Sequence, residues 1–340
     1  MSGEGAIVIL HGAVPPEAPP EELDTLVQVG QVRAALMAMG HVVHEVPVTL
    51  NLESLREALV RLRPVAVFNL VESIGAHDAL LPLAPMVAEA LGFVCTGARA
   101  TALMVTGDKV QAKHTLRQAR IPTPDLWDPA QHRSTRDNRW IVKSNSQQAS
   151  FGLDDQCVVP SAQVAQRMEE CRKRLGGQWF AERFIPGREF NLSLLETPHG
   201  LVELPPAEIR FIDFPEGKPQ IVGYEAKWNS ASPEYHNTSR RFGFAAGDQP
   251  LLSRLRYLAR RAWTVFGLGG YARVDFRVDA TGMPWVLEVN ANPCLAKDAG
   301  FVATAERGGY SYEKLISTIL QTAFQRLSPS LPAPHANPGA

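Results

Sequence analysis

The sequence is poor in cysteine, carries almost no net charge and has no long apolar run. Its four cysteines, Cys95, Cys157, Cys171 and Cys294, lie far apart and form no C-x-x-C pair, which argues against a disulfide framework or a zinc site. A formal net charge of −1 gives no global attraction to nucleic acid or to an anionic membrane. No apolar run approaches the roughly 18 residues of a membrane span, and no basic region precedes the short run that opens the chain. We therefore expect a cytoplasmic protein without nucleic-acid or membrane partners.

Residues 6–92 alternate between strand and helix patterns. The continuous apolar run at 6–10 is typical of a parallel strand that is covered on both faces. Periodic helical segments that end at Gly40 and Gly92 separate the strands. This alternation predicts an open α/β fold with a largely parallel sheet. Ligands bind beyond the carboxyl ends of strands in such sheets, so segments 11–12 and 72–78 are predicted to face the ligand.

The pattern changes at about residue 108. Residues 108–186 predict a small α+β unit, and residues 187–327 predict a larger unit with long strands, including a single strand over 201–211. A periodic helix follows, with a predicted apolar stripe at Leu251, Leu255, Leu258, Ala262 and Val265. The expected organisation is therefore three domains, 1–107, 108–186 and 187–327, followed by a disordered Pro-rich tail at 328–340.

The segment 271–290 predicts a β-hairpin with an unusual polar face. Its Asp-Ala-Thr-Gly turn allows the two strands to pair antiparallel. Because alternate side chains of a strand share a face, Asp275 can then meet Glu288 and Asn290. Such oxygen ligands suit Mg²⁺, which commonly binds together with substrate phosphates. The alternative is an ordinary solvated face of the hairpin.

Two lysines suggest that the protein binds a phosphate group. Lys143 ends an apolar strand and leads into a small-polar loop, 144–152, whose backbone N–H groups can face a phosphate. Lys109 opens a helix, a position where lysine opposes the helix dipole unless an anion lies nearby. Surface lysines and an ordinary turn are the alternatives. Glu182 can likewise pair with an arginine or accept hydrogen bonds from a nucleotide.

Taken together, the chain resembles the ATP-grasp superfamily and, within it, the D-alanine–D-alanine ligase family. The resemblance runs from the first strand to about residue 325. It rests on eight blocks in the family's order: VFNLVESIGAHD, GFVCTGARATALMVTGDKVQAK, WIVKSN, FAERFIPGREF, LPPAEIRF, YEAKW, GYARVDF and VLEVNANP. It implies a three-domain ATP-grasp architecture and ATP-driven formation of an acyl phosphate, which an amine then attacks.

The resemblance also implies roles for individual residues. Phosphate groups of ATP would contact Lys109, Lys143 and Lys227. The adenine would lie against Glu182 and the backbone of Arg183, Phe184 and Ile185, and the ribose against Glu189. Two Mg²⁺ ions, or Mn²⁺ in their place, would be held by Asp275, Glu288 and Asn290. The candidate catalytic residues are Arg273, for the oxyanion of the tetrahedral intermediate, Lys227, Glu72 and Ser150.

The positions that bind the amino-acid substrates in the family differ in this sequence. Ala149 replaces the first of two loop serines, Trp228 replaces a tyrosine, and Cys294 replaces a glycine. Ala299 falls at about the position of a serine that binds a substrate carboxylate in the family. Where the family has a histidine and then a glutamate, this sequence has Glu72 and then His77. The family's early glutamate matches either Glu22 or Asp24. Because losing a hydroxyl leaves a bound carboxylate under-satisfied, we predict a substrate other than D-alanine.

Three hypotheses follow. The preferred one is a ligase that joins a small-molecule acid to an amine, for example in dipeptide or secondary-metabolite synthesis. The second is D-alanine–D-alanine ligase itself, and the third is a nucleotide-binding regulatory module without catalysis. A Rossmann dehydrogenase is disfavoured because no G-x-G-x-x-G follows the first strand. Family members are commonly dimers, so the resemblance also suggests a homodimer.

Overall fold

The N-terminal strands form a three-stranded parallel sheet. In the computed structural model, which describes residues 5–132 and 139–326, β1 (Ile7–Gly12) lies between β2 (Val43–Val48) and β3 (Ala66–Asn69). Four helices belong to this region: α1 (Pro20–Ala38), α2 (Leu52–Leu62), α3 (Leu83–Ala90) and α4 (Ala100–Gly107). Every residue of β1 is buried, as the apolar run predicted, and the predicted parallel sheet is confirmed.

A small antiparallel sheet follows. Its order is β5-β4-β6, with β4 at Arg139–Ser144, β5 at Val158–Pro160 and β6 at Trp179–Arg183. The accompanying helices are α5 (Lys109–Gln118), α6 (Pro129–His132) and α7 (Val164–Leu175). Trp140, Val142 and Cys171 are among the buried residues of a separate apolar core under this sheet.

The C-terminal sheet has six strands in antiparallel pairing, in the order β10-β9-β7-β11-β12, with β8 also on β7. The strands are β7 (Arg188–Thr197), β8 (Gly200–Glu203), β9 (Ala207–Phe211), β10 (Thr238–Arg241), β11 (Tyr271–Val278) and β12 (Pro284–Asn290). The helices are α8 (Tyr224–Trp228), α9 (Pro233–His236), α10 (Gln249–Phe266), α11 (Gly300–Arg307) and α12 (Tyr312–Gln325).

Two local predictions in this region need correction. The single strand expected over 201–211 is divided into β8 and β9, because Pro205 and Pro206 between them have no N–H for a ladder. On α10 the buried stripe includes Leu255, Leu258 and Ala262 as predicted. At its two ends the prediction is wrong, because Leu252 and Phe266 are buried, whereas Leu251 is half-buried and Val265 is 37% exposed.

One apolar core joins the N-terminal and C-terminal sheets, with Val8 and Leu10 from one and Val274 and Val289 from the other. The mixed α and β architecture agrees with the predicted fold class. The predicted domain boundaries after residues 107 and 186 stay predictions, and the predicted disordered tail lies outside the described residues. In the described part of the chain, no helix has the length and apolar character to cross a bilayer.

Candidate active site

A large cavity of about 660 Å³ opens between the small sheet and the C-terminal sheet. It is lined by all the residues predicted for the nucleotide and the metal: Lys109, Lys143, Glu182, Arg183, Phe184, Ile185, Glu189, Lys227, Asp275, Glu288 and Asn290. The predicted substrate-side residues Asp24, Ala149, Trp228, Cys294 and Ala299 also line it, together with Ser150 and Arg273. Residues far apart in sequence are therefore gathered at one place.

A smaller cavity of about 140 Å³ adjoins it and shares several of its lining residues. Glu72, Asp24, Trp228 and Cys294 line this cavity, together with apolar side chains such as Leu103. Of the two acidic alternatives near the N-terminus, Asp24 lines both cavities and Glu22 lines neither. His77 is exposed and also lies outside both linings.

The hairpin places the predicted metal ligands on paired strands. In the register of β11 and β12, Arg273 lies opposite Asn290 and Asp275 opposite Glu288, with a bulge directly after this pair. Asp275 accepts two hydrogen bonds of 2.8 Å from Arg273 and one of 2.6 Å from Asn191. Within 5–132 and 139–326 no group of three His, Cys, Asp or Glu side chains could hold a metal ion. The predicted donor set has only two carboxylates, from Asp275 and Glu288, and its third ligand is the amide oxygen of Asn290. All three are hard oxygen ligands that fit Mg²⁺.

Glu182 is the centre of a buried charge cluster that the sequence did not predict. Its carboxylate pairs with Lys113 on one side and with Lys143, at 2.6 Å, on the other. The partners are thus lysines and not the arginine that was the alternative. Lys113 is 1% exposed and also donates to the hydroxyl of Thr123 and to the carbonyl of Leu287. A lysine in a polar helix gives no sequence signal of burial, and this is why it was missed.

Burial and charge act in opposite directions in this cluster. Burial raises the pKa of the Glu182 carboxyl, but the two lysines outweigh burial and the net pKa is lowered. Burial lowers the pKa of the Lys113 ammonium, and Glu182 opposes this change. The carboxylate is therefore ionised and pairs with both lysines.

The loop at 144–152 has an unusual backbone. Ala149 and Ser150 both have left-handed φ angles, +55° and +62°, a conformation that costs non-glycine residues of the order of 1–3 kcal/mol each. Ser150 donates to the carbonyl of Val222 at 2.7 Å, and the Trp228 indole donates to the carbonyl of Ala149 at 3.1 Å. Two of the positions at which this chain departs from the family pattern, Ala149 and Trp228, are thus in direct contact.

The same loop is attached to its surroundings on two further sides. The Lys109 ammonium donates to the carbonyl of Gln147 at 2.7 Å, and the N–H of Gln148 donates to Asp78 at 2.6 Å. Burial raises the pKa of Asp78 to about 6, although the Gln148 hydrogen bond opposes the change. Asp78, which follows the exposed His77, therefore joins the 72–78 segment to the loop at 144–152, and the carbonyl of Ala76 also accepts from the Gln147 side chain.

Other charged groups at the cavity are paired or buried. Glu189 pairs with Arg277 at 2.8 Å, which leaves its other carboxylate oxygen for a ligand such as a ribose hydroxyl. Lys227 lines both cavities, and burial lowers its pKa, with Arg273 acting in the same direction. Ala299 precedes the first residue of α11 at the wall of the large cavity.

Glu72 has a strongly perturbed carboxyl. Burial raises its pKa to about 7, and the negative charges of Asp24 and Asp78 act in the same direction. A 2.9 Å hydrogen bond from Gln28 and the charge of Lys227 oppose the increase. Asp24 is half-buried and its pKa is also raised by burial, while the thiol of Cys294 lies 3.6 Å from its carboxylate.

This perturbation predicts a pH-dependent effect of Glu72→Gln on stability. Because the folded-state pKa of Glu72 lies above the ordinary value of 4.5, the stabilising contribution of Glu72 is lost as pH rises from about 4.5 to about 7. The variant cannot titrate, so its stability relative to wild type should increase across this window by of the order of 2 kcal/mol and then level off. Urea unfolding at pH 4.5, 6 and 8 measures the difference. A difference in stability that does not depend on pH would contradict the raised pKa of the Glu72 carboxyl.

Comparison with known proteins identifies the class of enzyme to which this fold and this cavity belong. The family profile described as D-ala D-ala ligase C-terminus matches residues 130–321, more than half of the chain. The crystal structure of D-alanine–D-alanine ligase from Bacillus anthracis superposes with a TM-score of 0.73 at 20% identity, covering 95% of this chain and 98% of that one. The structure of the same ligase complexed with ATP gives a TM-score of 0.70. The fold is thus that of the ATP-grasp ligases.

Sequence relatives define the family more closely. The D-alanine–D-alanine ligase of a Synechococcus strain is 30% identical over 255 residues, which cover 72% of this chain and 73% of that protein. A protein of Sinorhizobium fredii described as uncharacterized protein y4sG is 30% identical over 263 residues, covering 76% of this chain and 75% of that protein. The chain belongs to the D-alanine–D-alanine ligase family, and it is an ATP-dependent, ADP-forming ligase.

Proposed function

We propose that this ligase phosphorylates a substrate carboxylate with ATP and joins the acyl phosphate to an amine, with a substrate other than D-alanine. One observation carries the substrate part of this proposal. The departures from the family pattern at Glu72, Ala149, Trp228 and Cys294 all line the small cavity. Ala149, Trp228 and Cys294 also line the large cavity, whereas Lys143, Glu182 and Glu288, which match the family on the nucleotide side, line the large cavity alone. The changes are therefore grouped around the small cavity and its junction with the large one, where a substrate would lie beside the nucleotide.

The chain supplies positioning and charge for this chemistry. A carboxylate is a poor electrophile, and phosphorylation gives it a leaving group. Lys109, Lys143 and Lys227 face the large cavity, where they would neutralise the phosphates of ATP. Arg273 lies where both cavities meet, so that its guanidinium would stabilise the oxyanion formed when the amine attacks. The amine nitrogen would then displace phosphate and lose its proton as the amide forms.

Mg²⁺ fits the donor set of the hairpin. Asp275, Glu288 and Asn290 would hold two ions, with Mn²⁺ as a substitute, and the ions would neutralise charge on the phosphates. Arg273 now bonds Asp275, so the same carboxylate would be shared between the guanidinium and the metal. The cytoplasmic location and the homodimer expected from the sequence stay proposals.

The second candidate is D-alanine–D-alanine ligase itself, which the names of the relatives favour equally. A phosphate-release screen of amino-acid pairs with ATP and Mg²⁺, read with mass spectrometry of the products, separates the two. Release with D-alanine alone, at the rate of the best pair, would overturn the substrate proposal. ATP binding without turnover for any pair would support the regulatory module and would contradict ligase activity.

Two substitutions test whether the substrate side has changed. Ala149→Ser and Trp228→Tyr, alone and together, restore the family's residue types at two positions that contact each other. We expect the preferred substrate pair to change, because both positions line the small cavity as well as the large one. The KM for ATP should stay within about threefold of wild type, because neither change removes a lysine proposed to contact the phosphates. Steady-state kinetics over the same panel measures this. Tyr257→Phe, on an exposed part of α10, is the control. An unchanged substrate profile with a changed KM for ATP would contradict the assignment.

A further inference from the structure

Gln28 joins two parts of the candidate active site. It lies on α1, is 2% exposed, and belongs to no motif that the sequence predicted to be functional. Its side-chain amide donates to Glu72 at 2.9 Å and accepts from the backbone N–H of Leu295 at 2.6 Å. One buried amide thus connects the helix, the carboxylate that lines the small cavity, and the loop that follows Pro293.

The orientation of this amide is determined by its partners. A backbone N–H can only donate, so the amide oxygen of Gln28 must face Leu295. The NH₂ group must therefore face Glu72, where it acts as a donor to a carboxylate oxygen. A donor at this distance favours the ionised carboxylate over the neutral acid.

Charges around Glu72 otherwise disfavour ionisation. Asp24 and Asp78 add negative charge, and Lys227 is the cation that opposes them. The charge of Glu72 also helps to raise the pKa of the Cys294 thiol and of the Tyr271 hydroxyl, so both groups lie near it. Among the described residues no lysine or arginine nitrogen lies within ion-pair distance of Glu72, so its direct polar partner in the folded chain is the Gln28 amide.

We propose that Gln28 is a positioning residue, which fixes Glu72 in the small cavity as an ionised acceptor for an ammonium or other cationic group of the substrate. The same amide holds the backbone at Leu295, so the cavity wall and the carboxylate move together. The substrate assignment rests on the proposed ligase function, whereas the effect of Gln28 on Glu72 does not.

Gln31 offers a matched control. It lies one turn further along α1, and its side-chain oxygen accepts from the N–H of Lys297 at 2.7 Å, in the same loop. Within the part of the chain that the structure describes, its side chain forms no hydrogen bond to Glu72. Gln28→Met and Gln31→Met therefore each remove one hydrogen bond to the loop, but only the first removes the donor from Glu72. Gln28→Glu keeps an acceptor for Leu295 and replaces the donor by a second carboxylate.

The decisive measurement is a ¹³C NMR titration of the Glu72 carboxyl in the full chain, with the resonance assigned by Glu72→Gln. We expect Gln28→Met to bind the proton at Glu72 about tenfold more tightly than wild type, and Gln28→Glu more tightly still. Gln31→Met should titrate like wild type. Circular dichroism establishes that each variant is folded. Equal titration midpoints in wild type and Gln28→Met, or equal changes in Gln28→Met and Gln31→Met, would overturn the positioning role.

Kinetics tests the ammonium acceptor separately. For the amino-acid pair that the phosphate-release screen identifies, the KM of one amino acid should rise at least about tenfold in Gln28→Met, with the KM for ATP nearly unchanged. The increase should be largest at a pH where Glu72 has become protonated in the variant only. An unchanged KM with a shifted titration would overturn the acceptor role. No turnover by wild type with any pair would overturn the ligase proposal, while the titration would still decide the effect on Glu72.

Discussion

Replacing Glu288 or Asn290 by alanine is expected to lower ATP turnover by about 10³-fold or more, equivalent to about 4 kcal/mol of lost transition-state stabilisation. Both side chains lie on β12 opposite Arg273 and Asp275, at the wall of the large cavity. Each replacement removes an oxygen ligand from the proposed Mg²⁺ site, and the alanine offers no substitute. ADP release measured over a range of Mg²⁺ concentrations tests this, and excess metal should restore part of the activity.

Glu306→Ala is the control for this experiment. Glu306 is an exposed glutamate on α11 and lines neither cavity, so its variant should keep the wild-type rate and Mg²⁺ dependence. Wild-type rates in both the Glu288 and the Asn290 variants would refute the metal assignment. A reduced rate with unchanged Mg²⁺ dependence would instead indicate a role for these residues outside metal binding.

Glu182→Gln is expected to reduce the free energy of unfolding by about 3–5 kcal/mol, because it leaves the Lys113 ammonium buried without a carboxylate. Lys113 is 1% exposed and retains only the Thr123 hydroxyl and the Leu287 carbonyl as partners. Lys143, with a side chain that is 20% exposed, can turn toward the large cavity and loses less. Urea unfolding followed by circular dichroism measures the change.

The double variant Lys113→Met, Glu182→Gln separates loss of the ion pair from loss of packing. Since it removes both the buried cation and its anion, it should be considerably more stable than Glu182→Gln alone. Arg172→Met in combination with Glu169→Gln, an exposed pair on α7, is the surface control and should change stability by less than about 1 kcal/mol. Additive effects of the two buried substitutions would contradict a coupled cluster.

Sequence patterns predicted the pairing of the two hairpin strands well, because a strand has only two faces. Alternation alone placed Asp275 with Glu288 and Asn290, and the observed register agrees with it. Alternation could not reveal the bulge after Asp275, because nothing in the order Val286-Leu287-Glu288 marks Leu287 as the extra residue. The sequence analysis identified Trp228 and Ala149 as departures from the family, but it did not predict the hydrogen bond from the Trp228 indole to the Ala149 carbonyl.

Contacts between distant segments were harder to predict. The bond between Gln28 and Leu295 spans 267 positions in the sequence, and no local pattern marks either end. Asp24 and Glu22 could not be separated either, because both lie in the first turn and a half of α1, and only the three-dimensional arrangement shows which of them reaches the cavities. Local periodicity predicts which face of a helix or strand is buried, but it does not predict which distant segment packs against that face.

Lys113 also has a consequence for local opening of the protein. Lys113 lies on α5, and its ammonium contacts Glu182 of β6, the hydroxyl of Thr123 and the carbonyl of Leu287 on β12. Four segments of the chain therefore meet at one charge. Moving any of them away would expose that charge to an apolar interior without its partners. In amide hydrogen exchange, the segments around residues 113, 123, 182 and 287 should therefore exchange together as one cooperative unit, and more slowly than the exposed turn at 280–282.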